Sequence, residues 1–296
     1  MRYGPAVGYR PCTTGGPTVF QRISNSWKLA KASAAVLSAD KELMIFPAMS
    51  AVMLVLVTAT FALPIILADG AQDMLGGVAS YIIGFLFYLV SYFVIFFCNS
   101  ALVGAAMIRL RGGDPTVADG FRIASSKIGV IFGYALIAAT VGMILRAIQE
   151  RAGIIGRIVV GLMGMAWNLA TFLVVPVLVV EDVNPIDAVK RSAALLKKTW
   201  GEQVIGGFSL GAIMGLAVFL LILIFVPLII LAAASQSPVL IGLVIGGFVI
   251  TLLLLSLVNA TLSGIYTAAL YRFAAEGQVS KGFASDMVQD AFRPKR

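Results

Sequence analysis

From Gln203 to Tyr271 the chain runs 69 residues without one charged side chain. As a single helix, at 1.5 Å per residue, that block would be roughly 100 Å long, about three times the hydrocarbon thickness of a bilayer. It must therefore fold back. Ser235-Gln236-Ser237-Pro238 is the evident turn, which places spans over 204–231 and 239–271. Upstream, apolar runs place four more over 43–68, 78–108, 128–147 and 158–180. The whole chain of 296 residues is 60% hydrophobic and 12% charged, against about 25% charged in a soluble domain. The fold class expected is an all-α integral membrane protein with six transmembrane helices.

The placement of basic residues tests that count. Six precede the first span, four lie between the second and third, four between the fourth and fifth, and five follow the sixth. Only Arg146, Arg151 and Arg157 fall on the other side. Lys and Arg collect on the cytoplasmic side of short loops, so both termini are expected in the cytoplasm and the protein in the cell (inner) membrane. Residues 1–17, with glycines and prolines throughout, read as a flexible cytoplasmic arm, and 277–296 as a cytoplasmic tail. No 7–15-residue apolar stretch suited to a signal peptide occurs in the first 20 residues. Cys12 in the arm and Cys98 in an apolar run are expected to stay unpaired.

Between 18 and 276 the pattern suggests an internal threefold repeat of interfacial helix and hairpin. Arg22-Ile23-Ser24-Asn25-Ser26, Arg122-Ile123-Ala124-Ser125-Ser126 and Arg191-Ser192-Ala193-Ala194 each lie on a short basic stretch before two spans. Asp114-Pro115 and Asn184-Pro185 each set a capping side chain before a proline at the first helical position. After Pro185, residues Ile186, Val189, Ala193, Leu196 and Trp200 project within about 80° on a helical wheel, an apolar face suited to the headgroup plane.

Trp167, Thr171, the run Pro176-Val177-Leu178-Val179-Val180-Glu181, then Ala188, Arg191-Ser192, Leu195, Lys197 and Trp200-Gly201-Glu202 resemble a signature of uncharacterised bacterial and archaeal six-helix membrane proteins. The opening Phe20-Gln21-Arg22-Ile23-Ser24-Asn25-Ser26-Trp27-Lys28 has the same character, so the resemblance covers about 18–275. It is also similar, more distantly, to the membrane domain attached to some glycerophosphoryl diester phosphodiesterases. The resemblance implies topology; the soluble phosphodiesterase barrel has no counterpart here.

Candidate contacts with lipid or a partner gather near the fourth span. Glu181 could form a headgroup pocket with Lys190, Arg191 or Trp200, or it could pair with Arg191 and fix the elbow after Pro176. The stripe Lys190, Arg191, Lys197 and Lys198 could meet anionic lipid at about 1 kcal/mol per residue, and it also serves as a topology determinant. Gly207, Gly211 and Gly215 recur every four residues, a spacing that permits close helix packing, within the chain or between copies. Gly242 with Gly246 and Gly129 with Gly133 repeat that spacing, and Pro47, Pro64, Pro176 and Pro227 can kink their helices.

The chain contains no histidine. That weighs against serine–histidine dyads and H-E-x-x-H zinc sites, and uncharged span cores weigh against ion coupling. No catalytic residue, metal ligand or cofactor is expected, and no nucleic-acid partner. The expected function is that of a non-enzymatic lipid-interacting scaffold or a subunit of a larger membrane complex, with oligomers possible. The alternative is a channel or facilitator for a neutral or lipid-like solute.

Overall fold

The computed structural model describes residues 34–38, 40–67, 78–198 and 203–276. The arm, the tail, the Arg22 segment, Cys12 and Trp200 lie outside the described residues. Within them the chain is all-helical. A 3-10 turn, Lys41–Met44, leads into α1 (Ile45–Leu67). Then follow α2 (Val78–Leu110), α3 (Val117–Ser126), α4 (Ile128–Arg151), α5 (Ile154–Ala170), α6 (Val174–Val180), α7 (Pro185–Lys198), α8 (Gln203–Ala234) and α9 (Pro238–Tyr271). A π-turn, Arg272–Glu276, closes α9. Among the described residues, six stretches are long and apolar enough to cross a membrane: α1, α2, α4, α5 with α6, α8, and α9.

The turn between α8 and α9 falls where the sequence places it. Ser237 Oγ accepts from Leu240 N–H at 3.5 Å, Pro238 takes the first helical position, and Gln236 adopts φ 55°. The fourth span begins four residues earlier than expected. Arg157 sits inside α5 near its N-terminal end, where a cation reaches the polar boundary at little cost.

That span is also broken at Thr171–Leu173. Pro176 explains the break: it has no N–H for the carbonyl of Phe172, and its ring crowds that carbonyl. The interruption is satisfied locally. Thr171 Oγ donates to Trp167 O at 2.8 Å, and Leu173 N–H donates to the buried Ser192 Oγ of α7 at 3.0 Å.

α2 is the hub. It packs against α1, α3, α4, α6 and α9. Five neighbours fit because its last turns carry small residues, with Ala101, Ala105 and Ala106 fully buried and Gly104 against Ile123 of α3. Small side chains let backbones approach and gain dispersion contacts where lipid offers no hydrophobic drive. The core lies at this end, where Leu43 and Phe46 meet Leu173–Leu178 and Ile265–Tyr271. Toward the opposite end the helices expose Val55, Leu56, Val239, Leu243 and Ile250, as lipid-facing surfaces do.

One expectation requires correction. Gly211 and Gly215 are exposed, and a Cβ on either would meet nothing within 4 Å among the described residues. The surroundings of Gly207 are not described. Close packing within the chain falls instead on Gly120, Gly133 and Gly264. On α7 the face that packs on the bundle differs from the apolar face of the wheel. Its buried stripe is Ala188, Ser192, Leu195 and Leu196, while Ile186 is 60% exposed. The packing face is thus rotated by roughly 90° from the apolar face of the wheel, because α7 folds back along α6 and touches α4 and α5.

Candidate functional site

Among the described residues, four groups of charged side chains gather at the bundle's packed end. The first is helix capping. Thr116 caps α3: its Oγ accepts from Asp119 N–H, and Asp119 accepts in return from Thr116 N–H at 3.1 Å. In α7 the Asn184 side chain accepts from Asp187 N–H at 2.9 Å and donates to the Asp187 carboxylate at 2.6 Å. Asp114 is therefore not the cap of α3; it lies outside the helix and pairs with Arg109 at 2.7 Å. Arg122 pairs back to Asp119, and Lys190 to Asp187, each three residues along. These bonds hold both carboxyls below their usual range, through Thr116 at Asp119 and through Lys190 and Asn184 at Asp187.

The second group contains Glu181. It leaves α6 just past Pro176, and α7 brings Arg191 back to it, with Nε 3.1 and 3.2 Å from the two carboxylate oxygens. Tyr271, from the far end of the sequence, donates its hydroxyl to the same carboxylate at 2.9 Å. Lys190 turns away to Asp187, Lys197 is exposed, and the side chain of Lys198 is not described. Of the residues proposed to surround Glu181, the structure brings up Arg191, and it adds a tyrosine.

The third group was not singled out from sequence. Arg272, only 6% exposed, donates from Nη1 to Leu110 O at 2.6 Å and from Nε to Glu276 at 3.3 Å. Arg111 holds the other oxygen of Glu276 at 2.8 Å. These bonds clamp the ends of α2 and α9 together. The available signal was that Arg272 is the first charge after the 69-residue block and stands four residues before Glu276, the spacing of a helical ion pair.

The fourth group is Lys127, between α3 and α4, with Asp182 after α6. The two are joined by an ion pair that holds the Asp182 carboxyl below its usual range. They border an open cleft of about 470 Å³.

Asp40 stands apart. It is buried before the 3-10 turn, and among the described residues its Oδ2 has no hydrogen-bond partner. Burial pushes its carboxyl above the usual range, against the attraction of Arg109. A raised native value means that the charged form costs stability at neutral pH, and that folding gains as the pH falls through that value. Asp40→Asn is accordingly expected to stabilise the protein by about 1 kcal/mol at neutral pH. The gain should fade toward about pH 4, as measured by thermal unfolding in detergent.

Residues 78–283 match the profile of DUF6159, a family of unknown function. The chain belongs to this family. The DUF6159 match opens at the first residue of the hub helix α2 and runs beyond the π-turn, so it spans the caps, the Glu181 group, the Arg272 clamp and the Lys127 cleft. α1 and Asp40 precede it. The DUF6159 match makes no connection to the membrane domain of glycerophosphoryl diester phosphodiesterases. No match is found among curated proteins.

Proposed function

We propose that this DUF6159 protein is a non-enzymatic inner-membrane protein that acts as a lipid-interacting scaffold or as a subunit of a larger membrane complex, with both termini in the cytoplasm. The observation that carries this reading is the state of α8. Its substantial packing is against α9, and it leaves Gly211, Gly215, Leu216, Phe219 and Leu223 exposed. A small-residue face of this kind on a membrane helix suits close docking of a second helix, from another copy or another protein.

The paired charges of the packed end support a static role. α3 and α7, with their reciprocal caps, read as the second and third copies of an interfacial helix that feeds a hairpin. Lys197 and its basic neighbours then face anionic headgroups.

The broken fourth span favours a second reading, a facilitator for a neutral or lipid-like solute, since interrupted helices line many transport paths. Extraction in mild detergent followed by light scattering and mass spectrometry separates the two. The scaffold reading expects a second copy or a discrete partner that Gly211→Leu releases without lowering the protein's own unfolding temperature. A monomer in detergent that restores solute flux in liposomes would favour the facilitator.

A further inference from the structure

The cleft beside Lys127 has features that the reading above does not use. Its polar wall is Ser126, Lys127, Asp182 and Asn184, and its apolar wall includes Val130 and Val183. A volume near 470 Å³ lies in the range of small-molecule sites. Lys127 immediately precedes the span Ile128–Arg151, and Asp182 follows the span Ile154–Val180 by two residues. Both charges therefore stand at the level where spans end and lipid headgroups begin. Gly129, which lines the cleft, shares a face of α4 with Phe132 and Leu136, within about 60°. Phe132 and Leu136 are 47% and 41% exposed and continue downward from the cleft as an apolar lane.

We propose that this cleft binds the headgroup of a zwitterionic phospholipid with a primary ammonium, phosphate on Lys127 and ammonium on Asp182. The inference rests on the lipid-interacting reading and names the lipid class. The reason is charge matching. Lys127 and Asp182 already neutralise one another. A purely anionic headgroup must break that pair and then lie beside the Asp182 carboxylate, and a cation faces the converse problem with Lys127. A phosphoethanolamine group replaces one ion pair with two, each a charge-assisted hydrogen bond. A quaternary ammonium has no N–H to donate to Asp182. The Asn184 amide is committed to Asp187. Ser126 Oγ donates to Ile123 O and keeps lone pairs that can accept from an ammonium.

The test uses the full chain, purified in neutral detergent and offered equal amounts of phosphatidylethanolamine, phosphatidylcholine and phosphatidylglycerol. Retained lipid is read by native mass spectrometry. Retention of phosphatidylethanolamine over the other two by roughly tenfold is expected, the worth of one charge-assisted hydrogen bond. Asp182→Asn, at a side chain 97% exposed and so harmless to folding, should shift preference to phosphatidylglycerol, because the cleft then carries a net positive charge. Lys127→Gln should lower retention of all three. The exchange Lys127→Asp with Asp182→Lys should restore the ethanolamine preference.

Equal retention of the three lipids by the unaltered protein, or an unchanged preference in Asp182→Asn, would overturn the proposal. Competition by soluble phosphoethanolamine at the same concentration as the lipid would keep the headgroup chemistry and place its source in the aqueous phase. Its failure to compete would place the source in the bilayer. A cleft that fails these tests leaves the effect of Gly211→Leu on association untouched, so the two readings fail separately.

Discussion

Gly120→Ala is expected to destabilise this protein by about 1–3 kcal/mol, and larger residues there to prevent folding. A Cβ at Gly120 would lie 2.5 Å from Phe46 Cζ and 2.7 Å from the carbonyl oxygen of Ala101. The phenyl ring has little room, since Phe46 is buried and packs on the Phe121 ring at 5.2 Å. The carbonyl belongs to α2 and cannot rotate away. α3 must therefore lift off the hub, which loosens its contact with the small-residue surface of Ala101–Ala106. Gly211→Ala supplies the contrast. Its Cβ enters open space, so the change should be neutral or slightly stabilising through helix propensity. Thermal unfolding of the two variants side by side, in one detergent, decides the matter. Equal midpoints would show that α3 does not depend on close approach to α2.

Arg272→Met is the second large effect, expected to cost about 3 kcal/mol. It strands the Leu110 carbonyl, on a residue 2% exposed, without its guanidinium donor. A buried acceptor left unpaired costs about 1–3 kcal/mol, and the ion pair with Glu276 is lost besides. Glu276 keeps Arg111, so the loss stops short of leaving a carboxylate stranded. Arg272→Lys should recover only part of the stability, because an ammonium cannot present the guanidinium's fixed fork to a carbonyl and a carboxylate together. Glu276→Gln should cost about 1 kcal/mol, since the amide oxygen still accepts a hydrogen bond. If Arg272→Met melts with the unaltered protein, the ends of α2 and α9 are held by apolar packing alone.

Both effects sit where six helices converge, and this is where reading the sequence and reading the structure part. The Gly207, Gly211 and Gly215 stripe was conspicuous because its period is visible along one helix. Gly120 and Gly264 are single glycines whose importance depends on the helix opposite. Gly120 has the Ala101 carbonyl behind it and Gly264 has the Leu102 side chain, and no local spacing announces either. Glu181 was legible because a carboxylate ending an apolar run is rare. Its partner Tyr271 lies 90 residues away and became a partner only once α9 was set beside α6.

The sequence by itself determined the solvent and the number of apolar helices. Long charge-free runs have no stable alternative in water, and backbone polar groups in hydrocarbon are satisfied only within helices or closed barrels. It also placed the turn between α8 and α9 and the start of α7, because caps and prolines act within four residues of themselves, whereas the start of α3 and the break in the fourth span fell elsewhere. The tertiary structure decided which face of α7 packs, which glycines bear contact, and which charges meet. Those depend on distances between segments up to 165 residues apart, and in a lipid environment shape complementarity between helices sets them. Hydrophobicity is uniform around such helices and gives no direction. The low charge that marks this chain as a membrane protein is thus also what hid its packing: with almost every span position apolar, the sequence could not say which side faces lipid.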